Sequence, residues 1–248
     1  MAKKGEGKSQ KRLSAQKAMF LPRKGKVWAI KGRPGPHSSQ ASVPLGFVLR
    51  DLLGIAKTLK EAKKILLSGA VHVNGVVRTE YRLPVGIFDL IELPGVKKVY
   101  RAVIDSKQRI AVRVLDAKAE KARICKVTGK KTAKKGMVQL TFNDGTVLLE
   151  KKTKLKCMDS AKLSVPEKKI LAELALSEGS LAYLLTGKSA GAVARIKKIF
   201  EATMRKPRVV ELEQGKNVFQ TNAENVLVVG EKKLEIDLGI EEEKNKRE

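Results

Sequence analysis

The sequence predicts an α+β, multidomain chain: a basic N-terminal arm, a small α+β module and two β-rich modules. Three observations predict it. Helical apolar spacing is clearest over residues 45–66, short β-branched runs broken by turn residues fill most of the chain beyond residue 70, and residues 1–42 are polar and rich in Gly, Pro and Lys. A length of 248 residues fits two or three small domains, and an apolar fraction of 42% is that of an ordinary globular chain.

The arm, residues 1–42, carries eleven Lys and Arg against one acid, Glu6. Gly32-Arg33-Pro34-Gly35-Pro36-His37 breaks any helix. Such a segment buries little apolar surface alone and is expected to order on a partner. Met19-Phe20-Leu21-Pro22 and Val27-Trp28-Ala29-Ile30 are the apolar islands expected to dock on the next module.

Residues 43–91 read as helix, helix, strand, strand. Pro44 suits a helix start, Leu45, Val48, Leu49, Leu52 and Leu53 recur at helical spacing, and Gly54 stops the run. Thr58-Leu59-Lys60-Glu61 has the form of a capping box, and Gly69 that of a C-terminal cap. Lys60, Lys63 and Lys64 then share the polar face, extended by Lys57. Asn74-Gly75 between β-branched residues predicts a hairpin, and Phe88 to Leu93 a further strand. The hairpin tip and the lysine face are read together as a grip on adjacent phosphates, with Arg50 and Arg78 nearby.

Residues 92–172 alternate strands and turns, with strands expected at 99–104, 109–115, 123–127, 137–142 and 146–149, and a turn at Asn143-Asp144-Gly145. Lys130, Lys131, Lys134 and Lys135 are placed in a loop between strands. Residues 159–180 look more helical and alanine-rich. Residues 173–240 are again β-rich, with strands at 181–185, 192–200, 208–212, 217–220 and 225–229 and a tight turn over Thr186 to Gly191. The charged tail from Glu241 is expected to fray.

The charge states the class of partner. Lys and Arg number 52 against 26 acids, a net +26, far above the ~2–8 charges that solubility asks of a small domain. Nucleic acid relieves such self-repulsion because neutralising phosphates releases counterions. Ten aromatics are too few for a row of stacked bases, so contacts to phosphate and RNA shape are expected. Cys125 and Cys157 lie 32 positions apart and form no zinc-type cluster with His37 and His72, so no metal is expected and the thiols read as free in a reducing cytosol. No apolar run is long enough to span a membrane.

Enzymatic motifs fail on inspection. Gly187-Lys188-Ser189 lacks the upstream glycine of a phosphate loop, where Ala182 stands. His72 sits in a β-branched run and reads as a half-buried structural residue. His37, after the Pro-Gly break, reads as an uncharged donor to RNA. Arg113-Val114-Leu115-Asp116 lacks the glycine of the Gly-Arg-Leu-Asp setting that an RNA-modifying rival, such as a pseudouridine synthase, would need. A transcription-associated binder is the other alternative.

Over nearly its whole length the chain resembles the archaeal and eukaryotic-type ribosomal protein S-four family of the small subunit. Lys11-Arg12-Leu13 and Gly35-Pro36-His37 carry the likeness in the arm. Leu49-Arg50-Asp51-Leu52-Leu53, Glu61-Ala62-Lys63-Lys64-Ile65, Val73-Asn74-Gly75 and Val77-Arg78-Thr79 carry it in the S-four RNA-binding module. Cys125-Lys126-Val127 is similar to the central segment, Thr186-Gly187-Lys188 with Ala190-Gly191 and Ile196 to a KOW motif, and Asn225 to Gly230 to the closing strand. The resemblance implies an S-four-like domain over 43–91, a central β-barrel-like domain over 92–172, an SH3-like KOW barrel over 173–240 and a charged tail over 241–248.

It also implies a structural constituent of the cytoplasmic ribosome that binds small-subunit ribosomal RNA, meets neighbouring ribosomal proteins, and supports assembly and translation. No enzyme activity, cofactor, membrane or small-molecule substrate is implied. In the arm the expected RNA contacts are Lys8, Lys11, Arg12, Lys17, Arg23, Lys24, Lys31, Arg33 and His37. Further along they are Arg50, Lys57, Lys60, Lys63, Lys64, Asn74, Gly75 and Arg78, then Lys130 and Lys131, then Gly187, Lys188, Gly191 and Arg195. Gly191 is read as a point of close backbone approach to RNA. The acidic Glu241-Glu242-Glu243 departs from the family's long basic extension.

Overall fold

The structure is a computed structural model, describing residues 9–22, 24–115, 121–204, 206–215 and 217–238. The arm folds back as a short ribbon, β1 (Ser9–Lys11) against β2 (Trp28–Ile30), with Lys11 opposite Trp28. β3 (Ser42–Pro44) leads into α1 (Leu45–Phe47), whose last turn widens over Val48–Leu52. α2 (Leu59–Leu67) starts on the expected box: the Glu61 amide donates to the Thr58 hydroxyl and the Glu61 carboxylate accepts from the Thr58 amide.

The hairpin of β4 (His72–Val73) and β5 (Val76–Val77) forms at Asn74-Gly75, both with positive φ. β6 (Pro84–Gly86) pairs with β3. β7 (Leu90–Leu93) begins later than expected, because Phe88 takes φ +61° and turns the chain inward.

β8 (Lys98–Ile104) and β9 (Ile110–Leu115) complete an antiparallel sheet of order β5-β4-β7-β8-β9. This sheet runs across the boundary expected at residue 91. Its apolar face joins Leu45, Phe47, Leu49 and Leu66 of the helices to Ala18, Met19, Ala29 and Ile30 of the arm in one core. The arm therefore packs, although Trp28 is 56% exposed and does not dock with its island.

The second sheet has order β12-β11-β10-β13-β14. β10 (Ala122–Thr132) pairs with β11 (Val138–Phe142) and β13 (Ser160–Ser164), while β12 (Val147–Glu150) and β14 (Ile170–Leu174) lie at the edges. Lys130 and Lys131 belong to β10 rather than to a loop, because β10 outruns its apolar segment with a bulge between Val127 and Gly129. Residues 160–174 are strands, not helix. Pro166 interrupts the segment, and β13 is buried between β10 and β14, where pairing overrides alanine's local preference.

The third sheet, of order β18-β17-β16-β15-β19, uses β15 (Leu181–Leu184), β16 (Val193–Phe200), β17 (Val209–Gln214), β18 (Asn217–Asn222) and β19 (Val226–Gly230). Its core takes in Phe88 and Ile124 from the other sheets, so the modules share buried surface. β14 spans the boundary expected at residue 172.

Candidate nucleic-acid interface and the junction behind it

A chain with this charge must separate cations that face solvent from cations that hold it together, and the structure does so clearly. The α2 cations stay on the surface. Lys57, Lys60 and Lys64 are exposed, and Lys63 lies over the Tyr81 ring at 4.3 Å. The capping box orients this face by fixing the helix start. Arg78 is exposed beyond β5, and Lys188 and Arg195 are exposed on the third sheet with Gly187. In the arm Lys11, Lys17, Lys24 and Arg33 are exposed, while Lys31 and Arg12 are half-buried. The Arg12 guanidinium donates to the Pro22 carbonyl at 3.1 Å, and Arg33 lies 3.9 Å from Glu80. Lys8 and Arg23 lie outside the described residues, as does the tail from residue 239.

Several expected contacts are engaged within the protein. Arg50 is 8% exposed at its side chain and donates from Nε and Nη2 to Asp51 at 2.8 and 2.6 Å, so its guanidinium is occupied. Lys130 Nζ donates to the Leu155 carbonyl at 2.8 Å, and Lys131 remains exposed. At the Asn74-Gly75 tip the asparagine side chain is engaged within the protein. Asn74 Nδ2 donates to Asp89 at 2.7 Å and Asn74 Oδ1 accepts the Leu90 amide at 2.9 Å. A Cβ on Gly75 would lie 2.7 Å from Pro166. Gly191, with φ +77°, makes its close approach to the Ile104 carbonyl, which an added Cβ would strike, and not to open space.

The largest departure concerns His37. It is not a solvent-facing neutral donor: its side chain is 6% exposed and Nε2 lies 2.8 Å from Asp89 Oδ2. Asp89, 2% exposed, also accepts the Gly86 amide at 2.8 Å and sits 3.5 Å from Arg123. Arg123 in turn pairs with Asp144 and donates to the Thr146 hydroxyl at 2.8 Å. Four charged residues from the arm, the first sheet and the second sheet thus close one buried network.

Two glycines make room for the arm here. A Cβ on Gly86 would run into the His37 ring, and one on Gly35 would fall 2.7 Å from Pro84. Burial works against a charged His37, but the charge and hydrogen bond of Asp89, helped by Asp144 and opposed by Arg123, raise its pKa above 6.5. Burial likewise works against a charged Asp89. His37, Asn74 and the Gly86 amide prevail and lower its pKa below 3.8.

Sequence reasoning missed the other buried cations. Lys126 Nζ donates to the carbonyls of Ala223, Glu224 and Val226 at 2.6, 3.0 and 2.9 Å, and burial lowers its pKa to about 8. Arg101 donates to the carbonyls of Asp237 and Ala122 at 2.5 and 2.7 Å. Tyr183 both donates to and accepts from the Ile104 backbone, at 2.9 and 3.0 Å. One signal was available: Arg123 and Lys126 stand inside the apolar run Arg123-Ile124-Cys125-Lys126-Val127, where a charge must find a partner.

Among the described residues no group of three or more His, Cys, Asp or Glu is placed to hold a metal. Within the same limits, no helix is long and apolar enough to cross a membrane. Gly187-Lys188-Ser189 is followed by the strand β16, not by the helix a phosphate loop requires.

Fold and surface define a class: a β-rich, multi-module basic protein whose modules are bolted together by buried charges and many of whose other described cations face solvent. The description "Ribosomal family S4e" matches residues 96–170, an RS4NT (NUC023) domain residues 4–40, and an S4 domain residues 48–91. The small ribosomal subunit protein eS4 of Archaeoglobus fulgidus is 39% identical over 93% of this chain and 98% of its own. That of Ignicoccus hospitalis is 36% identical over 96% and 98%. The crystal structure of the 30S ribosomal protein S4e from Thermoplasma acidophilum superposes with a TM-score of 0.67 at 27% identity, over 78% of this chain and 97% of that one. The chain belongs to the eS4 family of small ribosomal subunit proteins.

Proposed function

We propose that this protein is a structural constituent of the small ribosomal subunit in the cytoplasm, binding ribosomal RNA through phosphate and shape contacts and supporting subunit assembly and translation. The observation that carries this reading is the family match along the whole chain, joined to a net charge of +26. In this reading exposed Lys11, Lys17, Lys24, Lys57, Lys60, Lys64, Arg78, Lys131 and Arg195 meet phosphates, with Lys8 and Arg23 extending the arm's set. The Thr186–Gly191 loop of a KOW-type, SH3-like module presents Gly187 and Lys188. Neighbouring ribosomal proteins complete the surroundings.

The protein acts as a binder and not as an enzyme. Asp89 and Asp144 are held with Arg123 and His37 in the buried network that joins the arm to the sheets.

The test is a salt titration of binding to purified small-subunit ribosomal RNA. Log affinity should fall linearly with log salt, losing about 0.9 of a log unit per decade for each duplex phosphate neutralised. A flat line would remove the electrostatic basis of the proposal.

A further inference from the structure

We infer that the outer face of the arm ribbon holds one unstacked RNA nucleotide, its base against Trp28 and its flanking phosphates on Lys11 and Lys31. The inference rests on the proposed RNA-binding function and deepens it.

Trp28 is the chain's single tryptophan and is 56% exposed on a folded strand, while its strand neighbours Ala29 and Ile30 are buried. It lines a shallow cleft with Gln10, Lys11, Leu13, Ser14 and Lys31. Ribbon register places Lys11 directly across from Trp28. Leu13, 89% exposed, adds a second apolar wall. The cleft pairs a π surface and an aliphatic wall with two cations and no acid, which is the chemistry of a nucleotide and not of a basic or purely apolar partner.

Gln10 adds an independent sign. Its Nε2 donates to the Ser14 carbonyl at 2.6 Å, but its Oε1 is buried without a partner. A buried acceptor left open costs stability unless a donor arrives. Once the Gln10 side chain turns toward the cleft, a base amino group or a ribose hydroxyl supplies one. One platform is also compatible with the shortage of aromatics elsewhere, since it needs one base and not a row.

The test uses the full chain and two labelled RNA hairpins of equal length, one fully paired and one with a single-nucleotide bulge. Anisotropy reports binding, and emission from the lone tryptophan reports the cleft. The bulged hairpin should bind more tightly and quench Trp28 more strongly. Trp28→Ala should lose about tenfold in affinity for the bulged hairpin and little for the paired one, while Trp28→Phe keeps most of the preference. Because Trp28 is half-exposed, both variants should keep the wild-type circular dichroism spectrum.

Wild-type affinity of Trp28→Ala for the bulged hairpin, with RNA binding otherwise intact, would overturn the cleft and leave the ribosomal reading standing. Absence of binding to either RNA would overturn both. Emission that ignores RNA but shifts with purified small-subunit proteins would assign the cleft to a protein neighbour and overturn the nucleotide.

Discussion

At the scale of residues, the decisive event is the conversion of His37 from an expected surface donor into the arm's buried anchor. Its pKa is raised and that of Asp89 is lowered, so each ion favours the other. A raised histidine pKa gives stability that is complete below 6.5 and lost as pH climbs through the folded value. A lowered carboxylate pKa gives stability present above 3.8 and lost as pH falls through its folded value. The pair therefore contributes most from mildly acidic pH up to 6.5. The urea midpoint of His37→Gln should lie well below wild type at about pH 5.5, with the gap narrowing as pH rises above 6.5. A gap that widened with pH would contradict a charged His37. Asp89→Asn should cost about 3 kcal/mol or more, because it leaves the buried charges of Arg123 and His37 short of their shared partner.

At the scale of elements, α2 separates binding from folding. Its box, its buried Ala62 and Leu66, and its lysines use different sides of the same nine residues. Lys60, Lys63 and Lys64 changed together to Glu should leave the circular dichroism spectrum native. RNA affinity should fall at least about tenfold at low salt, with a salt slope shallower by up to about three phosphate contacts. Lost affinity together with a lost fold would instead make the face structural. This helix was legible in the sequence because its signals are local: Thr58 and Glu61 lie three apart. The turn at Asn143-Asp144-Gly145 was legible for the same reason.

Features that depend on distant partners could not be read. Nothing near Asp89 announces that His37, 52 positions earlier, and Arg123 will meet it. Nothing near Lys126 announces carbonyls about one hundred positions later. Residues 160–174 misled for the converse reason, since local propensity lost to burial between strands. The candidate site divides along the same line. Solvent-facing lysines could be read from composition, whereas Arg50, Asn74, Gly75 and Gly191 take their roles from contacts made within the protein.

At the scale of the whole molecule, one quantity pulls stability and binding in opposite directions. A net charge of +26 repels itself in the free protein. The buried junction relieves only part of this, because Asp89 and Asp144 compensate His37 and Arg123 locally while most of the surface cations described in the arm, α2 and the third sheet face solvent. Added salt shortens the reach of that repulsion, from a Debye length of about 30 Å at 0.01 M to about 10 Å at 0.1 M. The free protein should therefore melt at higher temperature as salt rises over that range, while its affinity for RNA falls over the same range. Thermal denaturation followed by circular dichroism in a series of sodium chloride concentrations measures the first trend, and filter binding in the same buffers measures the second. Opposite signs are required if the surface cations are uncompensated until RNA arrives. A melting temperature that fell with salt would mean that attractive surface pairs outweigh the repulsion, and the excess charge would then belong to the fold and not to a polyanionic partner.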